Sequence, residues 1–422
     1  MITVGEVLLY SVSYFGLFTS VFFLWTMLAN CRQWKNPTPP KVLPKVSVIV
    51  PACNEERTLA KTVDSLLGLD YPKEKFEIII VDDGSVDNTL KVARKFEKRG
   101  VIVLTKPNGG KGTALNLGLK RATGEFVGCL DADSVVDADA LKKMLGYFAN
   151  KEVMAVTPSL KCTKPRTVWQ RIQVIEFLLG VYLRKVFAFL GAIHVTPGPF
   201  TIFRKSFFDK YGGYDISTVT EDIEISLRMQ ANHYVIENAA DANVYAIPKP
   251  TFKTLYHQRI RWYRGFLDNV HKYRVLFSKK YGNLGLFILP SAFISVFFAI
   301  AVVAYTLFRL VDINVQRFIN LYSVNFDVRK LIYLRTDPFY IDASSLMFIG
   351  IVALFLSIVI IYLAKIISNE QEHIKWYYLL FILLYLPLFA FWWVVAIFYK
   401  TRKGNVVWTG RKRDEKEEKY LS

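Results

Sequence analysis

Residues 76–85, which read Phe76-Glu-Ile-Ile-Ile-Val-Asp-Asp-Gly-Ser85, decide the fold of this chain. A run of branched aliphatic residues that stops at an acidic Asp-Gly turn predicts a buried strand. Similar runs lie on either side of it, at residues 46–50, 101–105 and 125–130, and helix-like stretches separate them. Strands that alternate with helices predict βαβ units and an α/β domain built on a mainly parallel sheet.

Acidic side chains stand where two of these strands end, and ligands of parallel sheets bind beyond the carboxyl ends of the strands. Asp82 and Asp83 could accept hydrogen bonds from a base or a ribose hydroxyl, although Asp-Gly turns also end strands routinely. Asp131 and Asp133 lie two residues apart, so both could face one hard cation, Mg²⁺ or Mn²⁺, that also binds substrate phosphates. A solvated turn or a helix cap would fit the same pair.

Two further segments of this domain carry charged groups. Asn108-Gly-Gly-Lys-Gly112 resembles a phosphate-binding loop in which Lys111 supplies a positive charge, but the P-loop spacing is absent. Thr220-Glu221-Asp222 precedes a helical stretch at residues 223–230. Asp222 could cap that helix, or it could take a proton from a hydroxyl nucleophile.

Gln258, Arg261 and Trp262 have the spacing i, i+3, i+4, which places them on one face of a helix. Arg261 could hold a diphosphate, and Trp262 could stack on a sugar ring. An interfacial tryptophan among basic neighbours, common at membrane surfaces, is the alternative interpretation.

Apolar residues make up 52% of the chain, yet 21% of its residues are charged. The apolar excess is concentrated at residues 7–30, 284–310, 346–367 and 377–399, each long enough to cross a bilayer. Residues 166–190 and 251–278 are amphipathic and are predicted to lie at the membrane surface, although they could be ordinary domain helices. The net charge of +18 fits the basic cytoplasmic flanks of a multi-span protein, so we expect no nucleic-acid partner.

These patterns divide the chain into six parts. They are a membrane anchor at 1–35, a linker at 36–45, a catalytic domain at 46–250, an interfacial helix region at 251–283, a membrane region at 284–400 and a charged tail at 401–422. One anchor and three later spans would place the basic tail outside the cell, whereas its charge favours the cytosol. Either one segment does not cross, or residues 311–344 contain a membrane-embedded element.

The order Asp-Asp-Gly, Asp-x-Asp, Thr-Glu-Asp, Gln-x-x-Arg-Trp, spanning residues 46–264, resembles the processive family 2 glycosyltransferases. This family includes the cellulose, chitin, hyaluronan and poly-N-acetylglucosamine synthases. The resemblance implies a GT-A-like domain inserted between transmembrane helices. It also implies roles for individual residues: Asp82 or Asp83 for uridine, Lys111 for the diphosphate, Asp131 and Asp133 for the nucleotide and the metal, Glu221, Gln258, Arg261 and Trp262 for the diphosphate and the acceptor sugar, and Asp222 as general base. Residues 408–411 loosely resemble the gating segment of the hyaluronan-type enzymes.

By the same resemblance, the chain is a multi-pass plasma-membrane enzyme whose cytosolic domain requires Mg²⁺ or Mn²⁺. It would add a UDP-sugar, most readily UDP-N-acetylglucosamine, to a growing polysaccharide. One base without a second carboxylate nucleophile implies a single displacement that inverts the anomeric carbon to a β-linkage. A transferase that adds one sugar to a polyprenyl-phosphate lipid is the alternative, but such enzymes usually lack Gln-x-x-Arg-Trp.

Overall fold

The computed structural model describes residues 3–323, 344–372 and 374–402. One eight-stranded sheet forms the centre of the domain between the first and second membrane helices, in the order β3-β2-β1-β4-β7-β6-β8-β5. The strands are β1 (Val46–Ala52), β2 (Phe76–Asp83), β3 (Ile102–Lys106), β4 (Phe126–Cys129), β5 (Ser134–Val136), β6 (Val153–Cys162), β7 (Ile202–Arg204) and β8 (Val235–Ala246).

Twelve α-helices are assigned in the described residues. They are α1 (Val4–Ala29), α2 (Leu59–Leu67), α3 (Thr89–Arg94), α4 (Lys111–Arg121), α5 (Ala140–Leu145), α6 (Val168–Phe189), α7 (Lys205–Tyr211), α8 (Glu221–Ala231), α9 (Phe252–Lys272), α10 (Leu289–Ser323), α11 (Ser345–Ser368) and α12 (Lys375–Thr401). A π-helical turn, Leu284–Ile288, leads directly into α10.

The parallel half of the sheet agrees with the sequence prediction. β1 pairs in parallel with β2 and β4, and β2 pairs in parallel with β3. Apolar side chains cover both faces of β1 and β2, as expected for strands with helices on either side. The turn after β2 requires a glycine, because Gly84 has φ +69° and a Cβ there would lie 2.6 Å from the backbone nitrogen of Asn108.

The other half of the sheet is mixed, which the sequence did not reveal. β7 runs antiparallel to β4 and β6, β5 runs antiparallel to β8, and β6 and β8 are parallel. The first helix after β1 begins only at Leu59, because the preceding loop is bound to the loop after β2. There the backbone N–H of Asn54 donates to Ser85 and that of Glu55 donates to Thr89.

Four helices are long and apolar enough to cross a membrane: α1, the 40 residues of Leu284–Ser323, α11 and α12. They coincide with the four stretches predicted from the sequence. α10 continues well beyond residue 310, where an Arg309–Asp312 ion pair accompanies exposed apolar side chains. Large apolar residues such as Phe355, Tyr362 and Leu383 are exposed along these helices, as a lipid-facing surface requires.

The N-terminal half of α12 lies against α6. The guanidinium of Arg171 lies 5.7 Å from the ring centroid of Tyr377, and the hydroxyl of Tyr385 donates to Glu176 at 3.2 Å. α6 in turn packs against β6 and β8 of the sheet. This end of α12 is therefore on the catalytic-domain side.

The C-terminal end of α12 lies on the same side. The ammonium of Lys400 donates to the carbonyl of Leu267 on α9 at 2.8 Å. Trp393 packs on Phe266, which also packs on Phe293, close to the start of α10. A straight helix rises about 34 Å from residue 377 to residue 400, more than the roughly 30 Å of a bilayer core. α12 thus runs along α6 and α9 instead of leading away from them.

Candidate active site

A cavity of about 1450 Å³ opens at the carboxyl ends of β1, β2 and β4 and continues between α6, α9, α10 and α12. Nine of the ten predicted site residues line it: Asp83, Lys111, Asp131, Asp133, Glu221, Asp222, Gln258, Arg261 and Trp262. Asp82 does not. The structure therefore brings together groups that are up to 179 residues apart, from Asp83 to Trp262.

The two acidic residues at the end of β2 differ in their surroundings. The carboxylate of Asp83 accepts from the backbone N–H of Gly109 at 3.1 Å and of Gly110 at 2.8 Å, and it pairs with Lys106. Two backbone donors of the glycine-rich loop are thus occupied by the protein itself. Asp82 is 2% exposed; one of its oxygens accepts from Thr105, and the other has no hydrogen-bond partner among the described residues.

Lys111, the first residue of α4, joins two acidic parts of the cavity. Its ammonium lies 2.8 Å from a carboxylate oxygen of Asp131 and 2.8 Å from one of Glu221. Burial opposes its charge, but these two carboxylates outweigh burial and hold the pKa of Lys111 well above its ordinary value. Lys111 is therefore a permanent cation between the strand end and α8.

Adjacent carboxylates at the start of α8 have opposite pKa shifts. Burial alone would raise the pKa of Glu221, but the nearby ammonium of Lys111 leaves it lowered. For Asp222, burial and repulsion by Glu221 raise the pKa to about 6. A carboxylate that titrates near neutral pH can exchange protons during a reaction cycle, so Asp222 suits a general base better than Glu221 does.

Asp222 is not the helix cap that its position in the sequence also allowed. The residue before α8 is Thr220, and Asp222 lies in the first helical turn. α9 holds this turn in place: the side-chain amide of Asn269 donates to the backbone and side-chain oxygens of Thr220. Gly265 permits the close approach, because a Cβ there would lie 2.2 Å from the Thr220 hydroxyl oxygen.

α9 contributes the face predicted from the Gln-x-x-Arg-Trp spacing. Gln258, Arg261 and Trp262 all line the cavity. One guanidinium nitrogen of Arg261 donates to the carbonyl of Val219 at 3.2 Å, so this cation is directed towards the start of α8. A cation and an aromatic ring are thereby presented beside the acidic groups of the strand ends.

Residues 47–212, which include the acidic strand ends and Lys111, match the family model described as Glycosyl transferase family 2. This chain carries a family 2 glycosyltransferase domain. The match supports the family indicated by the order of the motifs, and it covers residues 47–212 of the 422.

Curated relatives of the glycosyltransferase include two staphylococcal proteins named poly-beta-1,6-N-acetyl-D-glucosamine synthase. The one from Staphylococcus epidermidis is 36% identical over 52% of this chain and 54% of its own length. The one from Staphylococcus aureus (strain COL) is 32% identical over 60% of this chain and 62% of its own length. The similarity thus spans between half and two thirds of these relatives.

A solved mannosyltransferase from Pyrobaculum calidifontis, in complex with GDP-Man and Mn²⁺, shares the fold. It superposes with a TM-score of 0.58 at 18% identity and covers 95% of this chain and 99% of that chain. The α/β, GT-A-like architecture flanked by candidate membrane helices is therefore confirmed.

The glycosyltransferase domain offers oxygen ligands suited to a hard cation. Asp131 and Asp133 both line the cavity, directly after β4. Among the described residues, no group of three or more His, Cys, Asp or Glu side chains is gathered as a metal site. A pair of carboxylates fits Mg²⁺ or Mn²⁺ only as part of a shell that substrate phosphates and water complete.

Several cavity residues were missed by the sequence analysis. One face of α6 lines the cavity with Gln173, Glu176, Phe177, Gly180 and Arg184. The first turns of α9 add Lys253, Tyr256 and His257. The spacing of the α6 set follows one helix face, which was a readable signal. The sequence analysis interpreted it as a membrane-surface pattern or an ordinary domain helix, and not as part of the site. The proposed gating segment at 408–411 lies outside the described residues.

Proposed function

We propose that this glycosyltransferase polymerises UDP-N-acetylglucosamine into a β-linked polysaccharide. The observation that carries the proposal is the single cavity, which joins the acidic strand ends, the Glu221–Asp222 pair and the Gln258–Arg261–Trp262 face. Donor, base and acceptor groups would then act on one reacting centre. We develop each role from its contacts.

On the donor side, the reaction creates negative charge on the departing nucleoside diphosphate. Lys111 and Arg261 are two of the cations that line the cavity, and both can offset that charge. Mg²⁺ or Mn²⁺, held by Asp133 and Asp131 with the diphosphate, would supply further charge stabilisation when bound. Asp83 instead holds the glycine-rich loop closed, and Asp82 lies outside the residues that line the cavity.

For the transfer itself, Asp222 takes the proton of the acceptor hydroxyl as that oxygen attacks the anomeric carbon. Glu221 is engaged by Lys111 and has a lowered pKa, so it remains ionised and raises the basicity of its neighbour. One base acting once gives a single displacement, and an α-linked donor gives a β-linked product. This mechanism rests on the residues of α8 and α4 alone.

On the acceptor side, Trp262 offers an aromatic face for the terminal sugar. The cavity continues past α9 to Ala292, Ser295 and Val296 of α10 and to Phe389 and Trp393 of α12. Its volume of about 1450 Å³ exceeds the 300–1,000 Å³ that is typical of a small-molecule site. This volume, and the extension of the cavity past α9, support an acceptor of several sugars over an acceptor of one.

The identity of the sugar rests on the relatives. Two of them are named poly-beta-1,6-N-acetyl-D-glucosamine synthases, and both are more than 30% identical to this chain. We therefore include the β-1,6 linkage in the proposal.

The proposal includes a membrane arrangement for α12. The contacts of both of its ends with α6 or α9 support a position at the membrane surface, on the catalytic-domain side, in which α12 does not cross. In this proposal α1, α10 and α11 are the crossings, and the basic tail, which lies outside the described residues after Arg402, would be cytosolic, as its charge favours. α6 and α9 lie at the same surface.

The donor and product are tested on membranes that contain the full chain. Each of UDP-N-acetylglucosamine, UDP-glucose and GDP-mannose is supplied with Mg²⁺ or Mn²⁺, and product length is measured on a gel. We expect polymer from UDP-N-acetylglucosamine alone, degraded by a β-1,6-specific hexosaminidase and resistant to chitinase. Transfer of one sugar to a lipid would instead establish the polyprenyl-phosphate alternative.

The membrane arrangement is tested by fusing green fluorescent protein or alkaline phosphatase after the last residue. A cytosolic tail gives fluorescence and no phosphatase activity. The reverse pattern would mean that α12 crosses the bilayer.

A further inference from the structure

Arg259 lies beside the predicted Gln-x-x-Arg-Trp face without being one of its named positions. Its side chain is fully buried on α9, and it contacts both residues assigned to the acceptor sugar. One guanidinium nitrogen donates to the side-chain oxygen of Gln258 at 3.1 Å. The guanidinium carbon lies 4.2 Å from the ring centroid of Trp262, in cation–π contact.

A single carboxylate holds Arg259 in this position. The second terminal nitrogen of Arg259 donates to one carboxylate oxygen of Glu176 on α6 at 2.5 Å. The other oxygen of Glu176 accepts from the hydroxyl of Tyr385 on α12. Trp392 of α12 lies within 5.9 Å of the same guanidinium. Three helices therefore meet at one buried ion pair directly behind the acceptor residues.

We infer that Arg259 and Glu176 are positioning residues that fix Gln258 and Trp262 for the acceptor chain. The guanidinium covers one face of the Trp262 ring, so a sugar stacks on the face that it leaves uncovered. Arg261 is directed elsewhere, because one of its guanidinium nitrogens donates to the carbonyl of Val219 next to α8. The inference rests on the proposed function and assigns the ion pair to acceptor binding, not to donor binding.

Arginine is required here for its shape. Its planar fork reaches Gln258 and Glu176 at once and lies flat on an indole ring, whereas a lysine ammonium makes only point contacts. Arg259→Met keeps much of the volume and removes the charge. Arg259→Lys keeps the charge and removes the fork, and Glu176→Gln keeps an acceptor for Tyr385 while the ion pair is lost.

The test measures polymer length, sugar incorporated per UDP released, and UDP affinity in full-length protein. We expect Arg259→Met to lower incorporation per UDP roughly tenfold and shorten the polymer, with UDP affinity unchanged within about twofold. Arg259→Lys and Glu176→Gln should fall between this variant and the wild type.

The matched control is Glu370→Gln, which breaks the ion pair with Lys161. That pair resembles Arg259–Glu176 in burial, with side-chain exposures of 3% and 15% against 0% and 18%, and neither residue lines the cavity. We expect the control to lower thermal stability but to leave incorporation per UDP and polymer length unchanged.

Equal losses of UDP affinity and incorporation in the lysine variant, or shortened polymer in the control, would show that the pair has only a structural role. If the wild type makes polymer and all three variants make polymer of the same length, the inference is overturned and the proposed function still stands. A wild-type enzyme that forms no polymer from any donor would overturn both.

Discussion

The raised pKa of Asp222 makes the pH dependence of sugar transfer a quantitative test of its role as base. Burial and the charge of Glu221 raise this pKa from 3.8 to about 6. A protonated carboxyl cannot accept a proton, so the rate should fall as the pH falls through about 6. At pH 5 a carboxyl of pKa about 6 is roughly 9% ionised, against about 94% for a pKa of 3.8. Transfer at pH 5 should therefore be about one tenth of its plateau.

Glu221→Gln should shift the fall in rate at acidic pH (the acid limb of the pH profile) to lower pH. It removes the negative charge that raises the Asp222 pKa and leaves Lys111 with one fewer counter-charge. Both changes favour the ionised form of Asp222, so its pKa should fall towards 3.8 and relative activity at pH 5 should rise. A lower overall rate in this variant does not affect the test, because the comparison is of the pH at which the rate falls.

The assay is kcat/KM for sugar incorporation between pH 4.5 and 8.5, with UDP affinity measured in parallel. A constant UDP affinity excludes loss of donor binding as the source of the limb. Asp222→Asn should lose about 10²–10⁴ in rate and show no limb near pH 6. A wild-type profile that is flat from pH 5 to 7.5, or a limb that Glu221→Gln leaves in place, would refute the reasoning.

Three further predictions concern the metal, the acceptor and the helix contact. Asp133→Asn should abolish transfer in a folded protein, and EDTA should inactivate the wild type; turnover by the variant in EDTA would contradict the metal assignment. Trp262→Ala should shorten the polymer more than it weakens UDP binding, and Trp262→Phe should retain part of the length, because stacking needs an aromatic face; equal lengths on a gel would argue against it. Gly265→Ala introduces a Cβ 2.2 Å from the Thr220 hydroxyl oxygen, so it should destabilise the fold by about 1–3 kcal/mol and lower kcat. Gly350→Ala, which meets nothing within 4 Å, is its control in thermal unfolding and turnover.

The parallel half of the sheet was predictable because its signals are local. Runs such as residues 46–50 and 76–81 are branched and apolar, and an acidic or glycine turn ends the second of them. The other half was not predictable by the same reasoning. β5 and β7 have three residues each, and the pairing of β6 with β8 shifts register between Val153 and Ala155 and again between Thr157 and Ser159. Such short strands are defined by distant partners and carry little pattern of their own.

The candidate site was likewise predictable only in part. Acidic residues at strand ends converge because parallel topology requires it, so Asp83 and Asp131 could be proposed from the sequence. The burial of Arg259 against Glu176 could not, because these residues are 83 positions apart and lie on helices whose packing no local spacing encodes. The hydrogen bond from the glycine-rich loop to Asp83, at the end of β2, could not be predicted for the same reason.

The position of α12 has an energetic consequence for the membrane potential. The residues that follow it include Arg402 and Lys403 and, further on, Arg411, Lys412 and Arg413. To carry one positive charge outward against an inside-negative potential of 100 mV requires about 2.3 kcal/mol. In the proposed arrangement Lys400 stays bound at the carbonyl of Leu267, so no positive charge at this end of α12 has to make that passage. The electric field across the bilayer would then oppose any outward movement of this end of α12.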